Sequence, residues 1–342
     1  MKAAVLEKLN SPLVIDELNV PDLECGQVLV EVRRSGICGA QIGEIAGVKG
    51  EDKYLPHLMG HEGGGVVLDI GPGVTKVKKN DHVVMHWRKG PGIEARPPRY
   101  KRDKGFVGGG WVTTFNELSV VSENRLTVIP DDIPFEIAAL MGCAVTTALG
   151  LINNEAALKI GESIALAGCG GVGLNIIQGA AMVSANPIIA IDIFDHKLKL
   201  AQEFGATHVI NNGKEDLREA VKRIAGKTGV DVFVDCTGNV EIMEQCYELT
   251  GPKGRTIMVG QPRIEKNLVL GSMVRNFTGK SLTDSQGGGT DPAVDIPRYL
   301  DLYRLGKLKL DRLMTHRFTL DDINTALEKM RSGETGRTII EF

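Results

Sequence analysis

Three side chains in this sequence can bind a borderline-soft metal ion: Cys38 in GICGAQIGEI, His61 in LMGHEGGGVV and Cys143 in LMGCAVTT. No two are local in sequence, so spacing alone does not define a metal site. Each also has a plain structural reading. Cys143, at the start of an apolar helix, suits a core position, and His61 suits a hydrogen-bonded turn. Zinc catalysis needs about three nitrogen or sulfur ligands and a further position open to a substrate oxygen. Cys, His and Cys meet that count, and Glu62 beside His61 offers a fourth or exchangeable ligand.

A second pattern handles phosphate. SIALAGCGGVGLNIIQGA sets Gly168, Gly170 and Gly173 in G-x-G-x-x-G, with Gly171 and Val172 inside it, between an apolar strand and a helix. Alone the pattern is weak. Here it opens a βαβ unit whose second strand, PIIAID, ends in Asp192, 24 residues after Gly168. A carboxylate at that point accepts hydrogen bonds from an adenosine ribose. The helix start offers N–H groups and a positive dipole end to a pyrophosphate. Asp192 would repel a 2′-phosphate, which favours NAD over NADP. The alternative is a glycine-rich strand-to-helix turn that binds nothing.

Two kinds of element must position these groups. The first ~145 residues are β-rich: QVLVEVRRSGI and GGGVVLDIG run or alternate apolar over strand lengths, with GPGV and KKND as turns. From EIAALMGCAVTTALGLINNEA the texture changes, and strand-like runs alternate with helical ones: SIALAGC, GLNIIQGAAMVS, PIIAIDI, HKLKLAQEFGA, VDVFVDCTG, VEIMEQCYELT, GRTIMVGQ. Such alternation, with strands apolar on both faces, marks a parallel sheet covered by helices. It ends near Ser285, and DIPRYLDLYRLGKL, LDDINTALEKM and GRTIIEF add helices and a closing strand.

A chain of 342 residues suffices for two domains, and a net charge of −3 implies neither a nucleic-acid surface nor an acidic tail. The first residues are too charged for a signal or transit peptide, and no apolar run approaches the ~18 residues of a membrane span. Cys25, Cys169, Cys236 and Cys246 are scattered as reduced cytoplasmic thiols would be. The expectation is a cytoplasmic protein with no nucleic-acid or membrane partner.

GICG, GHEGGGVV, VKKNDHVV, GCAVTTALG and the glycine motif, in that order, resemble the zinc-dependent medium-chain alcohol dehydrogenases over nearly the whole chain. The resemblance implies an α/β protein: a GroES-like β-rich catalytic domain from residues 1–145 and 286–342, and a doubly wound Rossmann domain at 146–285. It places the active site in the cleft between them. It also implies a catalytic zinc on Cys38, His61 and Cys143, and transfer of a hydride between an alcohol and NAD to give an aldehyde or ketone. Lys197 should reach the ribose, Thr237 and Val259 should flank the nicotinamide half, and Arg337 should contact the pyrophosphate. A homodimer or homotetramer follows by the same analogy, joined through Rossmann sheet edges near SLTDSQGGG.

The chain also departs from that family. MHWRKGPGIEARPPRYKRDKGFVGGGW contains none of the four cysteines that hold a structural zinc in many relatives, so one zinc per chain is expected. Gly39 stands where some relatives have an arginine. Gln41 replaces an aspartate that orients the zinc histidine, and Ala40 replaces the hydroxyl that starts the proton relay. The substrate proton then leaves through water, a neighbouring substrate hydroxyl, Glu44 or His57. The basic stretch Arg88, Lys89, Arg96, Arg99, Lys101 and Arg102, with the altered relay, points to a polar or anionic substrate such as a polyol, sugar, cyclitol or nucleotide-linked alcohol, or is a solvated charge run. Two other functions fit parts of the pattern: a zinc-free quinone or enoyl reductase, and a non-catalytic NAD-binding redox sensor.

Overall fold

The computed structural model describes the backbone of residues 1–342 and every side chain except those of Met273 and Arg275. The chain forms two compact units, Met1–Thr146 with Asp291–Phe342, and Thr147–Thr290.

The first unit is built on two sheets. The smaller has five strands in the order Val14–Glu17, Lys2–Leu6, His57–Leu58, Gly105–Gly108, Arg99–Arg102. The larger orders Leu126–Ile129, His82–His86, Glu62–Ile70, Gln27–Gly36, Arg337–Glu341 and Met314–Thr319, with Leu118–Ser122 pairing Gln27–Gly36 as well. Valine-rich alternation dictates this: Val28, Val30 and Val32 point to one face of their strand and meet Val67, Val83, Met85 and Val121 in one buried cluster. The C-terminal helix Ile323–Arg331 lays Ile323, Ala326 and Leu327 on Leu6, Ile37 and Phe115. Each large side chain so buried contributes roughly 1.5–3 kcal/mol.

The stretch without structural-zinc cysteines is ordered by hydrogen bonds. It contains the hairpin Arg99–Arg102 and Gly105–Gly108. Glu123, 1% exposed, accepts from Thr75 N at 2.6 Å and Lys76 N at 2.8 Å through Oε1, and from Ile93 N at 2.7 Å through Oε2. Ser122 Oγ accepts from Ala95 N at 2.8 Å, Gln27 Nε2 donates to Arg96 O at 2.8 Å, and Tyr100 Oη accepts from Val120 N at 2.9 Å.

The second unit is a six-stranded parallel sheet. Its strands Ile164–Ala167, Ile188–Asp192, His208–Asn211, Val230–Asp235, Thr250–Met258 and Ser281–Asp284 lie in the spatial order third, second, first, fourth, fifth, sixth. That is the doubly wound arrangement, whose ligand crevice opens at the carboxyl ends of the strands beside the order reversal. Ile164–Ala167 is buried on both faces, as a central parallel strand must be. The unit runs to Thr290 because Gly287, Gly288 and Gly289, all at positive φ, let the chain lie against Gly150 and Leu151, where Asn154 Nδ2 donates to Gly288 O at 3.0 Å. No single helix among the described residues is long and apolar enough to cross a membrane.

Candidate metal centre and dinucleotide site

Cys38 ends the turn after strand Gln27–Gly36, His61 precedes strand Glu62–Ile70, and Cys143 follows helix Phe135–Met141. Three elements distant in sequence thereby bring one His nitrogen and two sulfurs to within 4.8 Å of one another. Cys38 Sγ and Cys143 Sγ lie 3.9 Å apart. Two thiolates bound tetrahedrally at ~2.3 Å would sit about 3.8 Å apart, so the spacing already fits zinc. His61 Nε2 is buried without a hydrogen-bond partner, the orphaned nitrogen a metal would use.

The electrostatics agree. Cys38 and Cys143 are shifted in opposite directions, each chiefly by the other. The hydrogen bond from Cys143, then the His61 ring and Arg337, hold Cys38 well below the usual thiol range. The Cys38 thiolate and burial push Cys143 well above it. Burial opposes charge on His61, but the Cys38 thiolate, Glu62 and Glu44 outweigh it and raise its pKa. A thiolate favoured at a buried site is the form in which a cysteine ligates a metal.

Glu62 lies outside the close trio. It is fully buried, its Oε1 is paired with Arg337 Nη2, and its Oε2 has no partner. Gly36 makes this contact possible: a Cβ there would sit 2.7 Å from Glu62 Oε1. Arg337, 2% exposed, is thus placed beside the trio as the counter-charge of Glu62. Burial raises the Glu62 pKa against the pull of Arg337.

Helix Gly39–Ile45 borders the site. Gln41, fully buried, accepts from Cys38 N at 2.7 Å through Oε1 and places Nε2 2.7 Å from His61 Nδ1. Ala40 presents a methyl group, and Glu44 is exposed with no side-chain hydrogen bond among the described residues. His57 is engaged at both ring nitrogens, Nδ1 with Leu58 O and Nε2 with Asp52 Oδ2, each at 2.9 Å. Within the basic stretch Lys89 pairs with Glu94, Arg102 with Glu7 and Asp16, and Arg99 stacks over Phe106.

In the second unit the glycines divide their work. Gly168 turns at φ +96°, a Cβ on Gly173 would meet Gly168 O at 2.1 Å, and a Cβ on Gly170 would meet nothing within 4 Å. A tight turn, a close helix–strand approach and open space before the helix Gly171–Met182 form the cradle a pyrophosphate fills. Asp192 accepts from Cys169 N at 2.8 Å and Phe194 N at 3.0 Å, which fixes its carboxylate at the strand end with lone pairs to spare. Lys197 rides over the Phe194 ring at 4.9 Å. Thr237 follows the fourth strand and Val259 the fifth, and both hang on Asp235: Thr237 Oγ1 donates to Oδ1 at 2.5 Å, and Val259 N donates to the main-chain oxygen at 2.8 Å. Asp235 is a fully buried carboxylate that also accepts from Gly238 N at 3.0 Å. Sequence reading missed it, and the only signal was an acid closing an apolar strand, VFVDCTG.

Comparison with known proteins agrees with this geometry. Residues 24–131 match the family described as the alcohol dehydrogenase GroES-like domain, and residues 171–303 the zinc-binding dehydrogenase family. The chain is 31% identical to an S-(hydroxymethyl)glutathione dehydrogenase of Paracoccus denitrificans, covering 100% of this chain and 99% of that one. It is also 31% identical, over the same shares, to a class-3 alcohol dehydrogenase of Cereibacter sphaeroides. Among solved structures, a benzyl alcohol dehydrogenase from Acinetobacter calcoaceticus superposes with a TM-score of 0.89 at 27% identity, over 100% of this chain and 99% of that one.

Proposed function

This chain belongs to the zinc-dependent medium-chain alcohol dehydrogenase family, and we propose that it oxidises a neutral polyol, sugar or cyclitol with one zinc per chain and Glu44 as proton acceptor. It is an NAD-dependent oxidoreductase acting on a small-molecule alcohol. Bound zinc supplies Lewis-acid polarisation of the substrate oxygen, and bound NAD takes up the hydride. Everything else falls to this chain's own residues.

Cys38, His61 and Cys143 would hold the metal, and the observation that carries this is their convergence with His61 Nε2 buried and unpartnered. Glu62, fixed by Arg337, would keep a carboxylate in reserve beside them. Gly168, Gly170, Gly171, Val172 and Gly173 would bind the pyrophosphate, Asp192 and Lys197 the ribose, and Thr237 and Val259 the nicotinamide half. With NAD held there, the substrate C–H would face the nicotinamide half that Thr237 and Val259 flank. The O–H proton goes to Glu44 and then to solvent, and a carbonyl remains. Glu44 is favoured over His57 because both His57 nitrogens are engaged. A neutral polyol is favoured over an anion because Lys89 and Arg102 of the basic stretch are ion-paired, and a neighbouring hydroxyl suits a site that has lost its own at Ala40.

Oxidation of a panel of polyols, followed by cofactor reduction, tests this. Glu44→Gln should slow the reaction by ~100-fold or more, a typical general-base contribution, while Ala40→Ser changes it little. Unaltered rates in Glu44→Gln, or a large gain from Ala40→Ser, would overturn the assignment. We also place the protein in the cytoplasm, since thiols 3.9 Å apart must stay reduced to take a metal. A homo-oligomer is favoured by the edge strand Ser281–Asp284, paired on one side among the described residues, and by Val269 and Phe277, exposed 68% and 88% nearby. A monomer in light scattering would remove that reading.

A further inference from the structure

Gln41 has one acceptor atom and two clients. Its side-chain oxygen takes the N–H of Cys38, the residue before helix Gly39–Ile45, at 2.7 Å, and its amide nitrogen lies 2.7 Å from His61 Nδ1. The side chain is fully buried, so no water substitutes for either contact. With the amide in this orientation, Nε2 of Gln41 donates, and His61 Nδ1 must accept. The histidine proton then sits on the other ring nitrogen, Nε2, which is buried without a hydrogen-bond partner. That is the tautomer a metal must displace.

A metal on His61 Nε2 reverses the demand. The proton moves to Nδ1, and Nδ1–H becomes a donor in need of an oxygen. Cys38 N–H and His61 Nδ1–H are then both donors facing a side chain with a single oxygen. Because they lie at opposite ends of the amide, either orientation leaves one of them facing its N–H₂. A carboxylate at this position would serve both at once.

We propose that Gln41 is a metal-responsive latch: zinc loading turns its amide over, so that the oxygen leaves Cys38 N–H for His61 Nδ1–H and the cap of helix Gly39–Ile45 is released. This rests on the reading of Cys38, His61 and Cys143 as the zinc ligands. The released cap is at the helix that carries Ala40 and Glu44, so metal occupancy and the position of the proposed proton acceptor are coupled. The same exchange sets zinc affinity below what a carboxylate would give, because the loaded state always leaves one buried donor unpaired. Gln41 is therefore a positioning residue with two settings.

The test uses the full-length protein, zinc itself as the probe, and two readouts besides activity. Competition with a chelator measures zinc affinity in the wild type and in Gln41→Glu, which keeps the side-chain length and supplies two oxygens. Gln41→Glu should bind zinc ~10–100-fold more tightly, the usual worth of a partner to a metal-bound histidine. Backbone hydrogen exchange at Cys38 is read with and without zinc. In the wild type the Cys38 amide should lose protection on loading, and in Gln41→Glu it should stay protected in both states. An added negative charge alone would tighten zinc but leave the wild-type Cys38 amide equally protected in both states, and that result overturns the latch. So does a Gln41→Glu affinity within about twofold of wild type. If Gln41→Glu does not fold, the wild-type exchange experiment decides by itself. Zinc bound by neither protein defeats the ligand assignment, and the latch with it, and differs from failure of the latch, in which both bind.

Discussion

Glu123 should carry the fold of the stretch that many relatives hold with a second metal. Its carboxylate takes three backbone N–H groups, those of Thr75, Lys76 and Ile93, at 2.6–2.8 Å while 1% exposed. Hydrogen bonds to a charged acceptor contribute about 1.5–3 kcal/mol each. Thr75 and Lys76 are exposed and Ile93 half-buried, so the freed N–H groups regain some water. Discounted for that, Glu123→Ala should cost about 3–5 kcal/mol, a large part of the ~5–15 kcal/mol typical of a folded chain. Glu123→Gln keeps one oxygen for Thr75 and Lys76 but turns its amide N–H₂ on the Ile93 N–H, and should cost about 1–2 kcal/mol. These bonds also hold the Glu123 carboxyl below its ordinary range despite the opposing effect of burial. Its contribution is therefore full above ~4.5 and lost as pH falls through the lower folded value. The assay is the urea midpoint at neutral pH, with limited proteolysis between Lys89 and Lys104. Added zinc should rescue neither variant. A Glu123→Ala midpoint within ~0.5 kcal/mol of wild type, with an unchanged cleavage pattern, would refute the reasoning.

Other perturbations follow from the same geometry. Replacing Asp192 by glycine should shift cofactor preference from NAD toward NADP by removing the charge that repels a 2′-phosphate, read as the ratio of kcat/KM for the two cofactors; a wild-type preference for NADP would contradict it. His86 is buried, which lowers its pKa to about 4. The unfolded chain then binds a proton near 6.5 that the folded one refuses, so stability should fall by about 3 kcal/mol between pH 6.5 and 4. His86→Gln should flatten that slope in a series of denaturant midpoints, and an unchanged slope would show that another group titrates there.

How much of this was legible depended on how local each feature is. The glycines of the dinucleotide turn could be assigned from sequence because each answers to its immediate chain: Gly168 to a positive φ, Gly173 to the oxygen five residues before it. The strand alternation that defines the β-rich unit is local in the same sense. The metal trio was not legible from spacing, since 23 and 82 residues separate its members and only tertiary folding brings them together. It was the likeness to a family that pointed there. His57 drew attention by nearness in sequence to His61. Its nitrogens are instead occupied by Leu58 O and Asp52. Glu123 gave no pattern at all, and Asp235 only an acid closing an apolar strand. A carboxylate that organises backbone N–H groups from separate loops leaves no periodic trace. Arg337 was expected at the pyrophosphate, and its burial against Glu62 depends on Gly36, whose missing side chain leaves the space.

The most direct test is the zinc content per chain of the purified protein and of Cys143→Ser, by elemental analysis after gel filtration. The account predicts about one zinc per wild-type chain, and loss of most of it in Cys143→Ser together with alcohol oxidation, while NAD binding persists. About two zincs per chain, or zinc and activity fully retained by Cys143→Ser, would contradict it.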